Sequence, residues 1–198
     1  MGLDELREKC LVCTACGLAN GRHSVVFGTG VPDAEVMLVG EGPGVNEDKQ
    51  GEPFVGASGQ LLDRMLAGVG LSREKNLYIA NIVKCRPPHD RDPLPEEQEA
   101  CIHWLRQQTA LLRPKIIVCL GRIAACRIID PQFRVMRQHG QFREKGGILM
   151  MGTYHPAAIL RAPEHKAEAF ADLVALRDRI EERCTHTALW FGDADSVR

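Results

Sequence analysis

The sequence predicts an α/β protein, a single-domain α/β/α sandwich around a central, mainly parallel four-stranded sheet. Short apolar runs alternate with longer segments whose apolar residues recur at helical spacing. Repeated β-α units of that kind pair their strands in parallel and put helices on both faces. The length of 198 residues and the apolar fraction of 44% suit one domain with a full core.

The elements follow in order. Glu35-Val-Met-Leu-Val-Gly40 reads as a buried strand. Residues 58–68 read as the helix after it, with Leu61, Leu62, Met65 and Leu66 on one face. Residues 77–83 form the second strand. The proline-rich stretch 86–95 breaks regular structure, and a helix resumes over 96–112 with Pro95 just ahead of it. A third strand covers 116–120, and a short helix 121–129. Turn residues over 138–147 indicate a hairpin, followed by a fourth strand over 148–154 and a C-terminal helix over about 164–183. The domain spans 1–184. Residues 185–198 lose periodicity and read as a loosely attached tail.

The formal charge of −1 gives no global attraction to nucleic acid or acidic lipid, so any grip on DNA must be local. No run approaches the roughly 20 apolar residues of a membrane span. The chain opens on the charged stretch Met1-Gly-Leu-Asp-Glu-Leu-Arg-Glu-Lys rather than an apolar signal segment, which predicts a cytoplasmic protein with reduced thiols.

Eight cysteines in such a protein point to a metal rather than to disulfides. Cys13-Thr-Ala-Cys16 and the distant Cys85 and Cys101 can meet only in a folded site. Their spacing suits a tetrahedral zinc ion or an iron–sulfur cluster equally well. Cys10 and Cys13 form a second C-x2-C, so spacing alone does not choose the N-terminal pair. Cys119 and Cys126 read as small buried hydrophobes, and Cys184 has no evident role.

In open parallel sheets ligands gather at the carboxyl ends of the strands. Those positions hold Gly40-Glu-Gly-Pro-Gly44, then Asn81 and Lys84, then His155-Pro-Ala-Ala. The glycine-rich loop lacks the Gly-Lys-Ser/Thr ending of a P-loop, and Pro43 removes a donor that a phosphate would use. Glu41, a carboxylate among glycines, sets the loop apart from a simple turn.

Cys13-x2-Cys16, Gly40-Glu-Gly-Pro-Gly44, Gly51-Glu-Pro-Phe-Val-Gly56, Asn81-Ile-Val-Lys-Cys-Arg-Pro87 and His155-Pro-Ala157, in that order, resemble the iron–sulfur family 4 uracil-DNA glycosylases. The resemblance runs from about Cys13 to Arg161. It implies a [4Fe-4S] cluster on Cys13, Cys16, Cys85 and Cys101, leaves Cys10 without a role, and makes residues 1–184 a glycosylase-like domain. It implies base excision repair: uracil flipped out of DNA and its N-glycosidic bond hydrolysed.

The chemistry suggests a role for each residue. Phe54 can stack on the flipped base. The Asn81 amide can donate to uracil O4 and accept from N3–H, a pattern that cytosine reverses. Glu47, by resemblance, fills the space near C5 and rejects thymine. His155 supplies a donor near O2 as the anionic base leaves, Glu41 a carboxylate near C1′, and Gly42 a backbone N–H. Lys84, Arg86, Arg91 and Arg161 are expected on phosphates, with Leu160 or Arg161 as a wedge in the vacated stack. The expected partner is uracil-containing DNA, single- or double-stranded, bound by a monomer away from any membrane. Two other readings compete: a uracil-DNA binding protein trapped covalently, and an iron–sulfur redox protein. The loop after the second strand has His89 but lacks a run of consecutive basic residues, which favours turnover over trapping.

Overall fold

The computed structural model describes residues 2–192. In chain order its elements are α1 (Leu3–Leu11), β1 (Thr29–Gly30), β2 (Val36–Gly40), α2 (Val45–Gln50), α3 (Ala57–Ala67), β3 (Tyr78–Asn81), α4 (Pro95–Leu112), β4 (Ile116–Leu120), α5 (Arg122–Ile128), α6 (Val135–Gln138), β5 (Phe142–Lys145), β6 (Ile148–Thr153), α7 (Pro156–Arg161) and α8 (Lys166–Arg183). Short 3-10 turns lie at Gly17–Asn20, Pro88–Asp90 and Pro163–His165.

The strands form one sheet in the order β1-β3-β2-β4-β6-β5. The four inner strands are the four expected ones, and they run parallel. The sheet has six strands rather than four, because antiparallel edges flank this core on both sides. β1 is two residues long, too short to show any alternation. β5 is the first arm of the expected hairpin, closed by Gly146 and Gly147 at φ 60 and 79°, the left-handed region that hairpin turns demand.

All five residues of β2 and of β4 are buried, as expected of strands covered on both faces. Their side chains alternate between two apolar clusters. Met37, Val39, Ile117 and Cys119 face the side covered by α1 and α4 through Leu6, Cys10, Ile102 and Leu105. Val36, Leu38, Ile116 and Val118 face the side covered by α3 and α8 through Leu62, Leu66, Leu173 and Leu176. The expected C-terminal helix is α8, which begins at Lys166; a short helix not expected from the sequence, α7, precedes it and is separated from it by the 3-10 turn that Pro163 opens.

The segment after α8 is not loose. The Glu35 carboxylate, 3% exposed, accepts hydrogen bonds from the amides of Thr185, His186 and Thr187 and from the hydroxyls of both threonines, at 2.8–3.0 Å. Asn76 Nδ2 donates to Ala188 O at 2.8 Å, and Trp190 N to Gly70 O at 2.8 Å. Residues 185–190 therefore strap the amino-terminal edge of the sheet, which corrects the expected tail; its remainder, 193–198, lies outside the described residues. No helix among the described residues is long and apolar enough to cross a membrane.

Candidate active site

Gly40 and Asn81 lie in register at the ends of β2 and β3, and Leu120 and Thr153 at the ends of β4 and β6. The chain leaves β2 for β3 on one side and later returns to β4 on the other, and a sheet binds ligands at such a switch point. A cleft of about 550 Å³ opens there, lined by Glu41, Gly42, Glu47, Phe54, Asn81 and His155 among others. That volume is ordinary for a small-molecule site.

Asn81 is 1% exposed, and its Oδ1 has no hydrogen-bond partner among the described residues. A buried, unpaired amide oxygen costs about 1–3 kcal/mol, so one at a cleft wall is an acceptor held ready. Gly40 makes room for it: a Cβ there would lie 2.4 Å from Asn81 Oδ1 and 2.6 Å from the Phe54 ring.

Phe54 is 5% exposed and adopts φ 55°, a left-handed conformation that bulky residues rarely accept. Two clamps hold it. Glu47 Oε1 accepts from Val55 N and Gly56 N, both at 2.8 Å. Arg73 donates to Pro53 O at 2.6 Å and to Phe54 O at 2.9 Å. The Phe54 ring then sits 5.6 Å from the His155 ring, tilted by 35°.

Glu41 follows β2. Burial first, then the negative charge of Asp92, push its carboxyl up to about 7, while Arg122 opposes them. His155 caps α7: its Nδ1 accepts from Ala157 N at 3.2 Å. That bond leaves the proton of the neutral ring on Nε2. Burial and the nearby Arg161 depress the His155 pKa to about 4, with Glu47 opposing. At neutral pH the site thus holds a half-ionised carboxyl and a neutral imidazole with one fixed donor.

The basic residues divide. Arg161 is exposed, lines the cleft and has no ion pair among the described residues. Leu160 beside it is 47% exposed. Arg91 also lines the cleft but pairs with Glu97, and Arg86 pairs with Asp90. Lys84 corrects the expectation of a phosphate contact. It is 1% exposed, with Nζ donating to Asn81 O at 3.0 Å and to Gln108 Oε1 at 2.7 Å. Its side chain turns into the core and braces the backbone of the cleft asparagine.

A second, smaller cavity lies on the α1 and α4 side. Cys13, Cys16, Cys85 and Cys101 line it, and so does the fully buried Cys10. No three His, Cys, Asp or Glu side chains among the described residues are grouped to hold a single metal ion. The donor set is nevertheless all thiol, and N–H groups point at the sulfurs: Lys84 N to Cys101 Sγ at 3.2 Å, Arg22 Nη1 to Cys85 Sγ at 3.4 Å. Trp104 lines the same cavity with a buried Nε1 that has no partner among the described residues. N–H groups donating to cysteine sulfurs, with a further buried donor in the cavity wall, suit an inorganic group held by thiolates. Cys119 is fully buried elsewhere, and the half-buried Cys126 bonds Phe133 O.

Sequence reasoning did not single out Arg122 and Asp92, which pair with each other and tune Glu41 from either side. Arg122 was findable, because it stands two residues past the end of β4. Arg73 was not, since nothing local ties it to a loop some 20 residues earlier.

The sequence profile of the Uracil DNA glycosylase superfamily matches residues 27–175. A type-4 uracil-DNA glycosylase of Archaeoglobus fulgidus is 43% identical over 178 residues, covering 86% of this chain and 89% of that protein. One of Thermotoga maritima is 42% identical over 161 residues, covering 80% and 83%. A type-5 uracil-DNA glycosylase of Pyrobaculum aerophilum is 31% identical over 144 residues, covering 64% and 63%.

Proposed function

This chain belongs to the uracil-DNA glycosylase superfamily and to its type-4 family, and on that premise we propose that it excises uracil from DNA through the Glu41, Asn81 and His155 cleft. The observation that carries this reading is the buried, unpartnered Oδ1 of Asn81 at the wall of a cleft that also holds a carboxyl raised to about 7 and an imidazole lowered to about 4. Perturbed titratable groups and an unpaired acceptor at one switch point mark a site built for a ligand.

A uracil inside a duplex must first leave the stack, at a cost of a few kcal/mol. Phe54 offsets part of it by stacking on the base, worth about 1–3 kcal/mol. Asn81 Oδ1 accepts from N3–H and the amide NH2 donates to O4. Cytosine presents the reverse pattern and would leave two groups unpaired, each at about 1–3 kcal/mol. Glu47 lines the same cleft and serves two ends, holding the 54–56 loop and blocking a methyl group at C5.

Cleavage leaves negative charge on the departing uracil and positive charge on the sugar. His155 Nε2–H donates to O2 as that charge develops, while the neutral ring keeps Nδ1 free to accept from Ala157 N. Gly42 N–H assists. Glu41, when ionised, stabilises the cationic sugar and orients the attacking water. Arg161, Arg86 and Arg91 engage phosphates, and Leu160 fills the gap in the stack.

Cys13, Cys16, Cys85 and Cys101 would hold a [4Fe-4S] cluster, which when bound cross-links the N-terminal segment to the segment between β3 and α4. Replacing Cys85 with Ala is expected to lose iron and soluble yield together, while Cys10→Ala keeps both. Residues 1–184 and the 185–190 strap together form the glycosylase unit, a cytoplasmic monomer.

The test is direct. Labelled oligonucleotides with one uracil, thymine or cytosine are incubated with the protein, then read on alkali-treated and denaturing protein gels. Alkali cleavage at uracil alone is expected. An adduct that survives SDS would replace turnover by covalent trapping, and neither product would point to redox use of the cysteine site.

A further inference from the structure

One wall of the cleft comes from a segment that the chemistry above does not use. Val135 and Met136, at the start of α6, line the cleft beside Tyr154 and His155. Met136 is 63% exposed. Its flanking arginines, Arg134 and Arg137, are exposed and have no ion pair among the described residues, whereas nearby Arg127 and Arg143 are paired with Glu99 and Asp130.

This exposed methionine does not sit on a slack loop. Phe133 just before it is 3% exposed and packs where a Cβ on Gly152 would lie 2.5 Å from its ring. Val135 packs against both apolar clusters. On the other side His139 Nδ1 lies 3.0 Å from both oxygens of the buried Asp172, and its ring lies 4.8 Å from that of Tyr154. Gly140 N donates to Gly152 O at 3.0 Å. The segment is pinned at both ends to the strand that delivers His155. It presents a flexible apolar side chain between two unpaired cations at the rim of the cleft.

We infer that residues 134–137 form a second DNA-contacting element, in which Met136 packs against the bases flanking the extruded nucleotide and Arg134 and Arg137 take phosphates. This rests on the uracil-excision reading, which makes DNA the macromolecule at the cleft mouth. Two features of the segment select that partner. Its charge is wholly positive where a phosphate backbone would pass, and a rigidly mounted apolar side chain is what proteins insert against an opened base step. Met136 at the cleft wall would then act with the exposed Leu160 of α7, whose neighbours Ala158 and Arg161 line the same cleft, the two side chains holding the duplex open together. A wedge matters only where there is a stack to hold open, so its removal discriminates between duplex and single strand.

The experiment uses the iron-loaded protein, a 30-residue oligonucleotide with one uracil, and the same oligonucleotide annealed opposite guanine. Met136→Ala is expected to slow excision from the duplex by about tenfold and from the single strand by less than about twofold. The double variant Arg134→Gln, Arg137→Gln is expected to weaken binding to the abasic product duplex by about tenfold and to make the slope of log affinity against log salt shallower by about 1–2. All three side chains are exposed, so unfolding is not an expected outcome, and thermal melting of each variant checks that. An unchanged duplex to single-strand ratio, or an unchanged salt slope, overturns the inference while wild-type activity keeps the glycosylase reading intact. Wild-type protein that releases no uracil from either substrate overturns both.

Discussion

Strand β2 carries a glutamate at each end, and the protein treats the two in opposite ways. Burial would raise the Glu35 carboxyl, but the amides of Thr185 and His186 and the hydroxyls of Thr185 and Thr187 overcome it and bring the pKa down to about 2. Glu41 is also largely removed from water, receives no comparable donors among the described residues and faces the charge of Asp92, and its carboxyl rises to about 7. Five residues of strand separate them. A carboxylate whose every lone pair is met holds structure together; one left short of donors is unstable as an anion and available to a ligand. The amino-terminal end of the sheet is the satisfied end, and the carboxyl-terminal end, where the cleft opens, is the unsatisfied one.

Substitutions at the two ends should therefore fail in different ways. Glu41→Gln is expected to lower kcat by about 10²–10³-fold, a loss typical of removing one transition-state electrostatic group, with a melting temperature no lower than that of the wild type. Steady-state excision assays and calorimetry on the same samples check both. Glu35→Gln should do the reverse. It removes a charge-assisted acceptor and aims a donor at five donors, at a cost of about 2–3 kcal/mol, or roughly 5–10 °C in melting temperature, while kcat stays within about twofold at temperatures where the protein is folded.

The pH dependence sharpens the contrast further. The Glu41 pKa is higher in the folded state than its ordinary value of 4.5, so folding favours its protonated form and stability declines as pH rises from about 4.5 through 7. Glu41→Gln removes this decline. The variant should match the wild type in denaturant melts at pH 4.5 and exceed it at pH 8 by on the order of 2 kcal/mol. The Glu35 pKa is depressed, so its contribution is present above about 4.5 and lost only as pH falls toward 2. Excision should rise with pH through about 7 as Glu41 ionises, and the neutral His155 should impose no second limb until pH falls toward 4.

A smaller effect tests how closely the reactive end is packed. Gly121 sits at φ 90°, and a Cβ there would lie 2.8 Å from His155 Cβ. Gly121→Ala should displace His155 and lower kcat by about tenfold, with about 1–2 kcal/mol lost in stability from the strained backbone.

Much of this was legible along the chain, and the exceptions share a cause. Residues 116–120 read as a strand because an unbroken apolar run has few other uses, and the motif positions Glu41, Phe54, Asn81 and His155 do converge on one cleft. The strap after α8 was misread because its partner, Glu35, lies 150 residues away, and nothing local in Thr185-His-Thr187 announces a carboxylate. Lys84 was misread for a related reason. A lysine beside a strand end looks like a surface cation, and nothing local shows that Asn81 O and the remote, buried Gln108 on α4 give its ammonium interior acceptors. Phe54 was assigned to the site, but its left-handed backbone depends on the remote Arg73 and is invisible locally.

The topology also fixes an order of assembly. Cys101 lies in α4, ahead of β4 and β6, whereas His155 arrives only after β6 has been made. A chain emerging from the ribosome at about 5–20 residues per second therefore carries every cysteine that lines the second cavity before the last wall of the cleft exists. Cys13 and Cys16, just after the N-terminal helix, must wait, reduced, for partners some 70–90 residues behind them, a closure whose entropy cost grows only slowly with loop length. Maturation of the cysteine site can thus precede catalytic competence in time as well as in sequence, so that a newborn molecule gains its scaffold before it gains the means to cut a glycosidic bond.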